Sequence, residues 1–160
     1  MTEFYNYIKQ YLIDKFTADT DIALTVKVHD TQPSGYTPKA SEPEIQMDFI
    51  DNYENTRTTT FYQGETSSVM PMQFTAWVGQ MKIGGKTCTK QETARIFGKK
   101  LKKYLGEFKT NPFLNKNIIG VRHTTTTPPL PFQGGEKIYT VAVRYEFVIL
   151  NPYKTGLENN

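Results

Sequence analysis

Residues 137–149 read KIYTVAVRYEFVI. Tyr139, Val141, Val143, Tyr145, Phe147 and Ile149 fall on one side of a period of two, with Thr140, Arg144 and Glu146 on the other. Alternation sustained over so long a run marks a strand with one buried face. Its β-branched and aromatic content places it at the centre of a sheet. The chain is therefore read outward from this strand as a sheet protein whose remaining elements must cover one face of it.

Immediately upstream, TTPPLPFQGGE (126–136) gathers three prolines and two glycines, which predicts a long loop. Asn117 to Thr125 reads as another strand. Before it, Thr89 followed three residues later by Glu92 has the capping-box spacing. Ala94, Phe97, Leu101, Tyr104, Leu105 and Phe108 then recur at helical intervals, and Gly106 is a stop signal. A helix is expected near residues 89–106. From about Val69 to Ile83 the pattern is again that of a strand, with Met72, Phe74, Ala76 and Val78 on one face and Trp77 on the other. Pro71 places the beginning of that strand at an edge or before pairing starts. Ile45, Met47 and Phe49 begin a further strand, and RTTTFY (57–62) is expected to be its hairpin partner.

Toward the amino terminus, Asp30 to Pro43 (DTQPSGYTPKASEP) contains three prolines and two serines, a composition that fits neither a central strand nor a core helix. A second long loop is expected at 30–43. Ile22, Leu24, Val26 and Val28 alternate with Ala23, Thr25 and Lys27 as a half-buried strand. Phe4, Ile8, Tyr11, Leu12 and Phe16 share one face of an N-terminal helix spanning Thr2 to Phe16. The expected fold class is α+β: an antiparallel or mixed β-sheet flanked by the N-terminal helix and the helix near residues 89–106. The whole chain, 1–160, is expected to be one domain, with 151–160 a frayed tail.

Composition narrows the function classes. The chain has 160 residues, 38% apolar, with 10 Tyr and 10 Phe, enough for one core and for contact surfaces besides. A single cysteine, Cys88, rules out an internal disulfide and a cysteine-rich zinc site. The first residues lack the basic region and unbroken apolar run of a signal peptide, and no stretch has the length of a membrane span. A net charge of +3 is too small to argue nucleic-acid binding by the chain as a whole.

Five groups of residues could carry chemistry. GQMKIGGKT (79–87) ends in Gly85, Lys86 and Thr87 as a phosphate-binding loop does. The spacing fails, because Gln80 stands where that loop needs glycine and Gly79 comes one residue early. A plain strand-to-helix turn is the reading preferred. His29 and His123, the only histidines, lie on predicted strands without the spacing of a metal or nucleophilic site. Cys88, without a histidine partner, reads as a small buried or capping residue. Asp48, Asp51 and Glu54 read as a solvated strand end. The charge run that stands out is Arg95, Lys99, Lys100, Lys102, Lys103 and Lys109. Lys99, Lys102 and Lys103 share one helix face as a basic stripe suited to phosphates, or as an ordinary solvated face. No catalytic, cofactor-binding or metal-binding residue is assigned.

An N-terminal helix opening FYNYIKQYLIDKF, a proline-rich excursion, strands ending in VMPMQFTAWVGQ, a helix QETARIFGKKLKKYL and a last strand YTVAVRYEFVI follow in an order that resembles the tail terminator, or tail-completion, proteins of long-tailed bacteriophages and phage-tail-like particles. The resemblance covers roughly residues 2 to 150 as an order of elements. It implies a non-enzymatic virion structural protein, made in the host cytoplasm, that caps the tail tube as a six-fold ring at the head-tail junction. The partners implied are further copies of the chain, the tail tube protein, neck or connector proteins, and a tail sheath where the tail contracts. Genomic DNA would pass through the lumen without sequence-specific binding, and no membrane is involved. Under this resemblance Tyr36, Pro38, Leu130 and Phe132 are the expected contact residues, and the lysine stripe faces the lumen or neighbouring virion proteins. Three alternatives stay open: another neck, head-completion or tail component; a small nucleic-acid-binding module that uses Lys99, Lys102 and Lys103; and a small enzyme or nucleotide-binding protein that uses Gly85, Lys86 and Thr87.

Overall fold

The computed structural model describes residues 2–22, 24–29, 38–50, 58–60, 66–107, 118–132 and 135–150. In chain order the elements are α1 (Thr2–Thr17), β1 (Lys27–His29), β2 (Glu44–Phe49), β3 (Thr58–Thr60), β4 (Thr66–Val78), β5 (Met81–Ile83), β6 (Lys86–Cys88), α2 (Lys90–Gly106), β7 (Ile118–Thr126), β8 (Leu130–Phe132) and β9 (Gly135–Leu150). This is the α+β arrangement that the periodicities predict, with both helices in their expected places.

Two long strands form the spine of a seven-stranded mixed sheet. β4 and β9 run antiparallel from Ser67↔Leu150 to Val78↔Tyr139. The free side of β4 is completed end to end by β2 and β3, and that of β9 by β7 and β8. β1 adds in parallel to β2 at one edge. Five sequence expectations are corrected. Pro71 lies inside β4 opposite Glu146, with pairing already begun at Ser67. Residues 58–60 pair with β4 and not with β2. The run from Val69 to Ile83 is two strands, broken at Gly79 and Gln80. The stretch from Ile22 to Val28 is a strand only from Lys27, although Ile22 makes an isolated bridge to Ile83. Part of the second proline-rich excursion, moreover, is β8, which pairs with β9.

Alternation divides the sheet cleanly. Ile45 and Met47 of β2, Met72, Phe74, Ala76 and Val78 of β4, and Val141, Val143, Tyr145 and Phe147 of β9 are buried on one face. Both helices lie over that face. α2 approaches closely at Gly98, where an added Cβ would come within 3.0 Å of a Val141 methyl. Glycine here lets the helix backbone settle onto the strand. α1 lies beside α2, with Phe16 stacked on Phe97 at 5.7 Å and edge-on to Tyr104 at 5.2 Å, geometries that aromatic rings favour. The Tyr5 hydroxyl donates to the Met47 carbonyl and anchors the other end of α1.

α2 begins at its predicted cap: Thr89 is extended and its hydroxyl accepts from the Glu92 amide. Gly84 and Gly85 have φ of 61° and 80°. They form the two-residue turn of the β5–β6 hairpin, a turn that demands left-handed backbone at both positions. The Gly84 amide donates to the Asp21 carbonyl, which docks the hairpin on the segment leaving α1. Gly79 is a third constrained glycine, because its Cβ would lie 2.6 Å from the Ala40 carbonyl oxygen.

Candidate functional site

The face of the sheet turned away from the helices carries two kinds of surface. Toward one end, the rows across the strands are polar. Gln46 donates to Asp48, Gln73 to Thr75, and Arg144 Nε to Gln73 Oε1 at 2.8 Å, while Arg122 pairs with Glu146. These partners hold one another in a ladder, the usual way for a sheet to present a polar face to water.

At the other end the character changes. Glu44, Trp77, Thr140 and Leu130 occupy one row across four strands. The Trp77 ring lies 5.7 Å from Phe132 and 6.0 Å from His29. Leu130 is 50% exposed, and Ile138, whose parity points the same way, is buried outside the helix-side core. His29 Nε2 stands 3.9 Å from the buried Glu44 carboxylate. The result is an aromatic and aliphatic patch with a histidine at its margin, on a sheet face that no described helix covers. Rigid aromatic side chains are the usual anchors of protein interfaces.

Of the four expected contact residues, Leu130 and Phe132 meet in this patch, held there by β8. Pro38 is buried within the chain itself and offers no outward surface. Tyr36 lies outside the described residues. Trp77 and His29 complete the patch; the sequence placed Trp77 on the outward face but gave no sign of its neighbours, which come from β1 and β8.

The second surface is the outward side of α2. Arg95, Lys99, Lys102 and Lys103 are all exposed, and no described carboxylate lies within ion-pair distance of any of them. Lys100, from the same run, turns the other way. Its ammonium lies 2.7 Å from Asp19 and 3.4 Å from Asp21, and Tyr104 also donates to Asp19. Burial pushes the Asp19 carboxyl up, but the hydrogen bonds from Lys100, Tyr104 and the Asp21 amide, with the Lys100 charge, outweigh it and hold the carboxyl below its ordinary value. This ion cluster joins α1 to α2 and is a structural joint. Lys109 lies outside the described residues. His123 sits on β7 beside this surface, its pKa lowered by burial and then by the Lys102 charge, which favours the neutral ring.

The remaining candidates separate. Gly85, Lys86 and Thr87 belong to the β5–β6 hairpin, so their amides do not converge at a helix start as a phosphate cradle requires. Cys88 is buried, its thiol facing the Lys86 carbonyl, and Thr89 is the cap. Asp48 is hydrogen-bonded to Gln46; Asp51 and Glu54 lie outside the described residues. Among the described residues, no three His, Cys, Asp or Glu are grouped to hold a metal ion. No described helix is long and apolar enough to cross a membrane. No protein-family model matches the chain, and no curated protein matches its sequence.

Proposed function

We propose that this chain is a virion structural protein, a tail terminator that closes the end of a phage tail tube as a ring and forms part of the head-tail junction. The observation that carries the reading is the Trp77, Phe132 and Leu130 patch on a sheet face that no described helix covers, with the rigid aromatic anchors that contact with a neighbouring copy or the tube would use. The basic side of α2 is a surface of a different kind and in this reading faces the lumen. The order of elements from FYNYIKQYLIDKF to RYEFVI supports the same reading by resemblance. In this proposal the chain works through surfaces and performs no reaction. A different neck or head-completion role is the second reading, and it uses the same aromatic patch against another partner.

The test is the mass of the purified protein by light scattering, followed by negative-stain imaging with and without tail tubes. Closed rings, or density capping the tube ends, are expected. A monomer that also leaves the tubes bare would sink the terminator reading and favour the second one.

A further inference from the structure

We infer that the outward side of α2, with the adjoining edge of β7, binds the phosphate backbone of duplex nucleic acid without reading its sequence. Arg95, Lys99, Lys102 and Lys103 are spaced four, seven and eight residues along the helix and span about 12 Å of its axis. Successive phosphates advance about 3.4 Å per nucleotide along each strand, so the stripe matches a run of about four. Beyond Glu92 the outward side carries no carboxylate until Glu107, and Glu107 is paired with Lys15 at 2.7 Å. Lys15, Lys27, Lys100 and Arg122 each face a carboxylate; the four cations of the stripe do not.

The neighbourhood extends the site. Gly98 seats α2 over Thr126, whose methyl lies 3.9 Å from the position of a glycine Cβ. The Lys102 charge is felt at His123. Lys102 therefore lies beside β7, where Thr124 and Thr125 are exposed and offer hydroxyl donors of the kind that position a protein on phosphates.

The class of partner follows from what the surface lacks. Among the described residues the large exposed apolar side chains are Tyr7, Leu24, Ile50 and Leu130, and none of them lies on α2. A protein interface would need an apolar or aromatic centre inside the charged rim. A lipid surface would need an apolar side to insert. Single-stranded nucleic acid would need exposed aromatic rings for its bases to stack on. A convex, purely cationic helix side meets only the requirement of a duplex backbone, where affinity comes from counterion release.

The experiment is fluorescence anisotropy of a short random-sequence DNA duplex against the full chain over a range of salt. Four phosphate contacts predict a slope of about −3 to −4 in log affinity against log salt. The triple variant Lys99→Gln, Lys102→Gln, Lys103→Gln keeps good helix formers at exposed positions and should keep its thermal midpoint. Its slope should fall to about −1, with at least a tenfold loss of affinity at low salt. The matching arginine triple should bind as the parent does. Lys82→Gln, Lys86→Gln, Lys137→Gln removes the same charge from exposed positions elsewhere and should leave binding intact. The inference is overturned by absence of duplex binding at low salt or by equal loss in the second glutamine triple. Tighter binding to single strands, polyglutamate or phosphatidylserine vesicles would overturn it too. A monomer suffices for the measurement, so its result is independent of ring formation.

Discussion

Asp19 stands where α1, α2 and the β5–β6 hairpin meet, and its carboxylate is only 5% exposed. It accepts from Lys100, Tyr104 and the Asp21 amide, so removing its charge leaves Lys100 with the more exposed Asp21 as its remaining partner. Breaking such a buried pair from one side costs several kcal/mol; with Lys100 16% exposed and the Tyr104 bond still available to an amide oxygen, Asp19→Asn should cost about 2 kcal/mol. Urea unfolding at pH 7 measures this. The pH dependence has a definite sign. Because the folded-state pKa lies below the ordinary aspartate value of about 3.9, the stabilisation is fully present above that value and is lost as pH falls through the folded pKa. The parent should therefore lose stability in this acid range, and Asp19→Asn should lose less. Equal acid sensitivity in the two proteins would contradict this account.

Among the elements, α2 is the one whose sequence and structure agree most closely. Thr89, the buried stripe of Ala94, Phe97, Leu101, Tyr104 and Leu105, and the stop at Gly106 are all local signals, and a helix satisfies most of its backbone within itself. Thr89→Ala removes the acceptor for the Glu92 amide and should lower stability by about 1 kcal/mol, read as a shift in the urea midpoint with unchanged slope. A change below a few tenths would mean that water replaces the cap. The β5–β6 hairpin was less legible. GGKT reads equally as a turn before a helix, and only pairing of Met81 with Cys88 and of Ile83 with Lys86 shows that the chain doubles back first. β3 shows the same limit: RTTTFY reads as a strand, but pairing is a choice among distant partners that the local sequence does not encode. Of the basic run, helical spacing separated Lys99, Lys102 and Lys103 as one stripe. It gave no sign that Lys100 meets Asp19 across 81 residues.

The described residues form two layers, with a sheet face that no described helix covers, and under the ring proposal the sheet edges bear on how copies can join. β7, an edge strand, carries register shifts at Ile118/Gly120 and His123/Thr125. Such irregularities discourage strand-to-strand addition at this edge, which under the ring proposal favours contact through surfaces. Under the ring proposal, Leu130→Asp places a charge in the centre of the aromatic patch. Leu130 is half exposed, so the fold should change by less than about 0.5 kcal/mol, while rings and tube capping should be lost. Persistent rings in this variant, measured by light scattering beside the parent, would place the interface elsewhere.

The sequence by itself determined the two helices, the cap of α2, the buried face of β2, β4 and β9 and the placing of Trp77 on the opposite face, because periodicity and caps are properties of neighbouring residues. Tertiary structure alone decided that β2 and β3 share the flank of β4, that β8 carries Leu130 and Phe132 up to Trp77, that Lys100 turns inward while the rest of the basic run stays outward, and that Pro38 is buried. Each of these depends on which distant segments lie side by side, and the physical reason is common to all: contacts between remote residues are set by closing the whole chain around one core, not by any stretch of it alone.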